Sequence, residues 1–180
     1  MKEKTKSSKI VYQGKFMNLL LDQVVLPDNT EGERVFIKHP GGAAVLPITT
    51  DNRLILVNQY RYPIQAISLE IPAGKKDHVG EDSLECAKRE LEEETGYISN
   101  DIKLLYTMHP CVGYSNEVLD LFIAKDCVPI KNPKSMDQDE FIEVELFTVQ
   151  EAKELLLTKR ITDAKTIIAI QAYLAMTQSI

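Results

Sequence analysis

The sequence predicts an α+β fold, an α/β/α sandwich in which helices cover both faces of a mixed β-sheet, with a small β subdomain ahead of it. Three observations predict it. Short strand-like runs separated by turn residues fill the chain up to Gly74, one charged helix follows, and further strands then give way to two apolar helices. With 180 residues, 44% hydrophobic and 27% charged, the chain has the size and balance of one globular domain carrying a small extension.

The elements read in order. Met17 to Leu26 is rich in Leu and Val, and Arg34 to Lys38 alternates before the turn at Pro40-Gly41-Gly42. These runs suggest a β subdomain over residues 1–40 and a main domain over 41–180. Ala43 to Ile48, Leu54 to Gln59 and Ile67 to Ile71 read as strands, the first two parted by Thr50-Asp51-Asn52, the last ending where Pro72-Ala73-Gly74 should turn the backbone. Between Asp82 and Thr95 the period becomes helical, with Leu84, Ala87 and Leu91 on one face and Gly96 as the stop. Strands resume at Ile102 to Thr107, Val118 to Ala124 and Phe141 to Phe147, and helices are expected at Val149 to Leu157 and Ala164 to Met176. Lys-rich Met1 to Lys9 reads as a frayed end.

Composition narrows the function. A net charge of -6 argues against holding nucleic acid through broad phosphate neutralisation, so a small phosphorylated ligand would need metal ions as intermediaries. Cys86, Cys111 and Cys127 are odd in number and form no C-x-x-C pair, and are expected as buried apolar residues. The N-terminus precedes no apolar run long enough for export or membrane spanning, so a cytoplasmic protein without a membrane partner is expected.

The chemistry concentrates on the charged helix. At about 100° per residue, Glu90, Glu93 and Glu94 fall within about a 100° arc beside the buried edge. Like charges at this spacing destabilise a helix by a few tenths of a kcal/mol per pair, and a divalent cation would offset that. An isolated Glu-rich helix is usually just a solvated acidic face. Here, Gly74-Lys-Lys-Asp-His-Val-Gly-Glu81, followed by Arg89-Glu90-Leu91-Glu92-Glu93-Glu94-Thr95-Gly96-Tyr97, closely resembles the Nudix box. Seven residues separate Glu81 from Arg89, as in that family, but six rather than five separate Gly74 from Glu81. The insertion falls in the loop, where it costs little; inside the helix it would rotate the carboxylates by about 100°.

The resemblance implies a Nudix fold and a set of roles. Metals would be held by Glu90, Glu94 and the backbone carbonyl of Ala73; Glu93 matches a further metal-binding or water-orienting position, and Glu81 and Arg89 match residues that brace loop against helix. Magnesium suits oxygen ligands shared with phosphates, and manganese could substitute. The acidic run Asp137-Gln138-Asp139-Glu140 resembles the segment that supplies a general base, with Glu140 the choice. Further likeness to the ADP-ribose pyrophosphatase branch lies in Gly41-Gly42-Ala43-Ala44-Val45, Asn58-Gln59-Tyr60-Arg61, Glu70-Ile71-Pro72-Ala73-Gly74 and Asp163-Ala164-Lys165-Thr166. It implies that Arg61 contacts the substrate diphosphate. Glu117 would bind metal or ribose, in a loop where Val112 stands in place of a proline used to recognise ADP-ribose hydrolases.

That branch also implies a homodimer through exchanged N-terminal strands, with adenine stacked on aromatic residues contributed partly by the N-terminal subdomain of a second subunit. Tyr12, Phe16 and Phe36 are the available donors, core packing being the expectation for each. His39, His78 and His109 share no motif spacing and receive no role. The implied activity is metal-dependent hydrolysis of ADP-ribose or a related nucleoside diphosphate sugar. Two other readings stand beside it: a Nudix nucleoside triphosphate pyrophosphatase, disfavoured by the N-terminal extension and Gln59-Tyr60-Arg61, and a non-catalytic ADP-ribose-binding module, disfavoured by the retained Glu90, Glu93 and Glu94.

Overall fold

The computed structural model describes residues 1–78, 80–135 and 140–178. Its first three strands, β1 (Lys4–Gln13), β2 (Asn18–Val25) and β3 (Glu31–Lys38), form a separate antiparallel sheet in the order β1-β2-β3. The expectation of a frayed Met1 to Lys9 is therefore wrong: the segment pairs along β2 from Lys4. Backbone hydrogen bonds and ion pairs hold it, Arg34 to Glu3 at 2.6 Å among them, and neither needs the apolar alternation by which strands are read from sequence. Every residue of β1 is exposed.

The main sheet has eight strands: β4 (Gly42–Thr49), β5 (Arg53–Arg61), β6 (Ala66–Glu70), β7 (Ala73–Lys75), β8 (Tyr97–Ile98), β9 (Asp101–Met108), β10 (Leu119–Pro129) and β11 (Ile142–Thr148). Its spine runs β11-β5-β4-β10-β8, with β6 on β5, β7 on β4 and β9 on β10. Only β4 and β10 pair in parallel, so the sheet is mixed. Alternation along the strands separates two cores. Ala43, Val45, Ile55, Phe122 and Ala124 face helix α1 (Ser83–Thr95). Ala44, Leu46, Leu54, Leu56, Leu121 and Ile123 face the layer of α2 (Val149–Leu157) and α3 (Ala164–Gln178), where Ala152, Ala169, Ile170 and Tyr173 are buried. The result is the α/β/α sandwich.

One local correction positions the site. Pro72-Ala73-Gly74 does not reverse the chain; it begins β7. Strands β4 and β5 pair in register only at Ile48 and Leu54 and then part, and the chain crosses from β5 (as β6) to β4 (as β7) through Ile71-Pro72. At this crossover Ile71 donates its N–H to the Thr166 hydroxyl at 2.8 Å, and Pro72 accepts from the Val45 N–H at 3.0 Å. The bonds a continuous strand would make are replaced one for one. A notch opens where the strands diverge.

Candidate active site

Helix α1 carries the acids, and local chemistry fixes both its ends. The Asp82 carboxylate accepts from the N–H groups of Leu84 and Glu85, and Gly96, at φ 72°, returns its N–H to the Glu92 carbonyl. With the helix so phased, Ala87 and Leu91 enter the core, and Glu90 and Glu94 follow on the same side at 6% and 4% exposure. Glu93 is half-buried at the edge.

Strand β7 lies against these acids. Gly74 packs so closely on Glu90 that a Cβ there would overlap the carboxylate, which is the physical reason for glycine at this position. Ala73 donates its N–H to Glu94 Oε2 at 3.0 Å. Arg89 joins the loop to the helix: its Nη1 lies 2.6 Å from Glu90 Oε1 and 3.3 Å from Glu93 Oε2, while Nη2 donates to the Lys75 carbonyl at 3.1 Å and lies 3.6 Å from Glu81 Oε1. Glu81 in turn accepts from the Asp77 N–H at 2.6 Å.

The carboxylates are close, yet not gathered on one point: among the described residues no three acidic, His or Cys side chains already form an ion cage. Glu90 and Glu93 share Arg89, and Glu94 is turned onto Ala73. Electrostatics still favour a cation. Burial, opposed by Arg89, pushes the Glu90 carboxyl up to about 7, with Glu93 and Glu140 adding repulsion. Burial and then Glu90 push Glu94 up to about 8. Desolvated, mutually repelling oxygen donors beside a glycine cradle suit a hard divalent ion.

The notch continues into a cleft of about 510 Å³ lined by Lys15, Phe16, Gln59, Arg61, Asp77, Arg89, Glu90, Glu93 and Glu140, with Ala73 to Lys75 as its floor. Asp137, Gln138 and Asp139 lie outside the described residues, so Glu140 is the one member of that acidic run whose place can be given. Across β7 a second lobe of about 260 Å³ is lined by His39, Met108, Pro110, Glu117, Leu119, Asp163 and Lys165, sharing the same floor. Glu117 thus stands in the neighbouring lobe, 3.7 Å from His39 Nδ1, and not among the α1 acids.

Arg61 makes two parallel bonds to Glu70, Nε to Oε1 at 2.8 Å and Nη2 to Oε2 at 2.7 Å. Lys165 also binds Glu70 and lies 3.1 Å from Asp163. These cations, working against burial, bring the Glu70 carboxyl down to about 2. Glu70 and Lys165 received no role from the sequence, because they meet across 95 positions; the pairing of Glu70 with a strand-end arginine nine residues earlier was the available signal.

Two smaller expectations fail. Tyr12 and Phe16 are 63% and 46% exposed, so core packing holds for neither, and Phe36 is half-buried. Cys86 and Cys127 are buried, with thiols raised by burial to about 12 and about 11, but Cys111 is only half-buried. No helix among the described residues is long and apolar enough to cross a membrane.

Known proteins resemble this chain over most of its length. Residues 38–169 match the family model described as NUDIX domain, and residues 3–37 the one described as nucleoside diphosphate sugar hydrolase N-terminal domain. The chain is 38% identical over 178 residues to the methanol dehydrogenase activator of Bacillus methanolicus, covering 99% of this chain and 95% of that protein. It is 35% identical over 180 residues to the ADP-ribose pyrophosphatase of Bacillus subtilis (strain 168), covering 100% and 96%. A crystal structure of ADP compounds hydrolase has the same fold, with a TM-score of 0.84 at 19% identity over 99% of this chain and 96% of that one. With Glu90 packed on Gly74, Glu94 bonded to Ala73 and a domain match over residues 38–169, this chain has the Nudix fold and belongs to the Nudix hydrolase family.

Proposed function

We propose that this protein hydrolyses the diphosphate bond of ADP-ribose, giving AMP and ribose 5-phosphate, or that of a related nucleoside diphosphate sugar. The observation that carries this is the meeting, in one cleft, of Glu90 and Glu93 with Arg61 and Arg89: anionic groups able to hold a cation beside cationic groups able to hold phosphate. The similarity to ADP-ribose pyrophosphatase over the full chain supports the substrate class. Members of this family generally depend on a divalent metal, and magnesium fits the all-oxygen donor set, with manganese as a substitute.

Glu90, Glu94 and the Ala73 carbonyl would hold the metal, and Glu93 would hold a further ion or orient water. The bound ion supplies charge neutralisation and a water of lowered pKa. Glu140, which lines the same cleft as Glu90 and Glu93, takes the proton from the attacking water. Arg61 offers its Nη1, the nitrogen not bonded to Glu70, to the diphosphate, while Glu70 fixes the guanidinium plane. Arg89 and Glu81 keep loop and helix in register. Glu117, in the adjoining lobe, meets the ribose. The three-stranded sheet of residues 1–40 serves as a dimerisation subdomain, and the protein works in the cytoplasm on small molecules, with neither nucleic acid nor membrane as partner.

The test is a panel of ADP-ribose, other nucleoside diphosphate sugars, dinucleoside polyphosphates and nucleoside triphosphates with magnesium, following released monophosphates. AMP plus ribose 5-phosphate is the expected result. Preferential triphosphate cleavage would move the protein to nucleotide-pool cleaning, and binding without turnover would make it a sensing module.

A further inference from the structure

The acids of α1 do not all serve the cleft. Glu90 and Glu93 line it and Glu94 bonds to Ala73, but Glu92, in the same run, turns to the connection between β10 and β11. Its Oε1 accepts the Lys134 N–H at 3.2 Å, and its Oε2 lies 3.1 Å from Lys134 Nζ. One carboxylate therefore grips one residue by backbone and by side chain. Two contacts at the end of the helix bring the same connection in: Ile130 donates its N–H to the Gly96 carbonyl at 3.0 Å, and Pro133 packs over Gly96, where a Cβ would meet its ring at 3.7 Å. At its far end the connection enters β11, with Ile142 paired to Gln59. Glu140 lies between these two anchors in sequence and lines the cleft together with Glu90 and Glu93.

At about 100° per residue Glu92 stands about 200° round the helix from Glu90, so α1 presents the cleft acids on one side and this tether on the other. The Lys134 ammonium is exposed, and an ion pair of that kind adds little to the stability of the chain. Its weight falls on position instead, because a carboxylate bonded to a backbone N–H fixes the path of the chain itself. A general base has to stand within hydrogen-bond reach of the water it deprotonates, and an error of about 1 Å in placing a catalytic group can cost about 10²-fold in rate. We propose that Glu92 is a positioning residue for the hydrolysis: by holding Lys134 to the helix that carries Glu90 and Glu93, it sets where the β10–β11 connection departs and so brings Glu140 to the cleft of those acids. This rests on the reading of Glu140 as the proton acceptor of a diphosphatase and deepens it.

Turnover of ADP-ribose in magnesium is measured beside manganese binding. Glu92→Ala is expected to lower kcat about tenfold, with KM and manganese affinity each within about twofold of the wild type. Lys134→Ala, which keeps the backbone bond, is expected to lower kcat about threefold, and the double variant no further than Glu92→Ala alone. The decisive comparison is made in Glu140→Gln: with no carboxylate left to place, Glu92→Ala should change the residual kcat by less than about twofold. A merely structural contact would slow both backgrounds alike, and that result overturns the proposal. So does a Glu92→Ala kcat within about twofold of the wild type, or a fall in manganese affinity that matches the fall in kcat. Should Glu92→Ala fail to fold, Lys134→Ala carries the same comparison in both backgrounds. Glu140→Gln at the wild-type rate contradicts the base assignment, and a wild type that does not cleave ADP-ribose contradicts the diphosphatase reading. Either removes the proposal as well, and neither resembles its own failure, in which the wild type is active, Glu140→Gln is slow and Glu92→Ala is not.

Discussion

Helix α1 with its facing strand β7 and the three-stranded N-terminal sheet are held together by opposite means. Around α1, side chains decide the structure: Leu91 and Ala87 are buried, Glu90 is pressed on Gly74, and Arg89 bonds to loop and helix at once. In the N-terminal sheet the backbone decides, and the side chains of β1 are left in solvent, Ile10, Val11 and Tyr12 among them. The first region is over-determined within one chain, so a change there is felt at once. The second carries more apolar surface than its own packing uses, which is what a surface with a ligand or a second subunit to meet looks like.

The contrast can be broken or sharpened by experiment, beginning with the largest effect. Glu140→Gln is expected to cost about 10²–10⁴ in kcat, with the urea midpoint unchanged, because it removes a proton acceptor and no packing. An unchanged rate would remove Glu140 from the mechanism. Next comes Lys165→Met, which leaves the buried Glu70 with Arg61 as its one partner in place of two; loss of a partner from a buried ion pair costs about 3–5 kcal/mol at most, measured by urea denaturation, and the fall in KM-corrected activity should follow the loosened Arg61. Leu91→Ala should cost about 2–5 kcal/mol through the cavity it leaves beneath α1. Ile10→Ala and Val11→Ala, by contrast, should cost less than about 0.5 kcal/mol in dilute protein, and a larger loss that depends on protein concentration would place these residues in a dimer interface.

The pH dependence sharpens the same comparison. In the metal-free protein Glu90 and Glu94 titrate near 7 and 8, above an ordinary glutamate, so the folded state holds more protons than the unfolded one between about 4.5 and 8. Their contribution to stability is complete below that window and is lost as pH rises through it. Glu70, lowered to about 2, acts oppositely: its contribution is present above about 4.5 and lost as pH falls towards 2. Thermal melts in EDTA should therefore show declining stability from pH 5 to pH 8.5. Magnesium should raise Tm more at the higher pH, since binding no longer has to displace protons. Equal gains at both values would mean that these carboxylates are not the ligands.

How far the sequence could be read follows from the same physics. Helix α1 was legible because apolar period and stop agree at Leu84, Ala87, Leu91 and Gly96, and α2 lies where it was expected, from Val149 to Leu157. Strand β1 was illegible: Lys4 to Lys9 holds only Lys, Thr and Ser where a half-buried strand would alternate apolar residues, and its pairing with β2 is what makes it a strand. Strand β7 was hidden because Pro72 and Gly74 signal a turn locally, whereas the crossover from β5 to β4 is a fact of the whole sheet. At the site, spacing placed Glu90, Glu93 and Glu94 on one side of a helix. It could not show that Arg89 would lie between two of them, nor that Glu70 would sit between Arg61 and Lys165, because both depend on side-chain contacts between separate elements.

The central claim is that the α1 glutamates beside β7, Glu90 against Gly74 and Glu94 against Ala73, take up a divalent ion. Manganese titration followed by the loss of the free-ion electron paramagnetic resonance signal tests it most directly, on the wild type, Glu90→Gln, Glu94→Gln and, as a control on the exposed side of the same helix, Glu85→Gln. The account predicts saturable binding by the wild type and Glu85→Gln that is lost or weakened at least about tenfold in the other two. Equal binding by all four proteins, or none by the wild type, would contradict it.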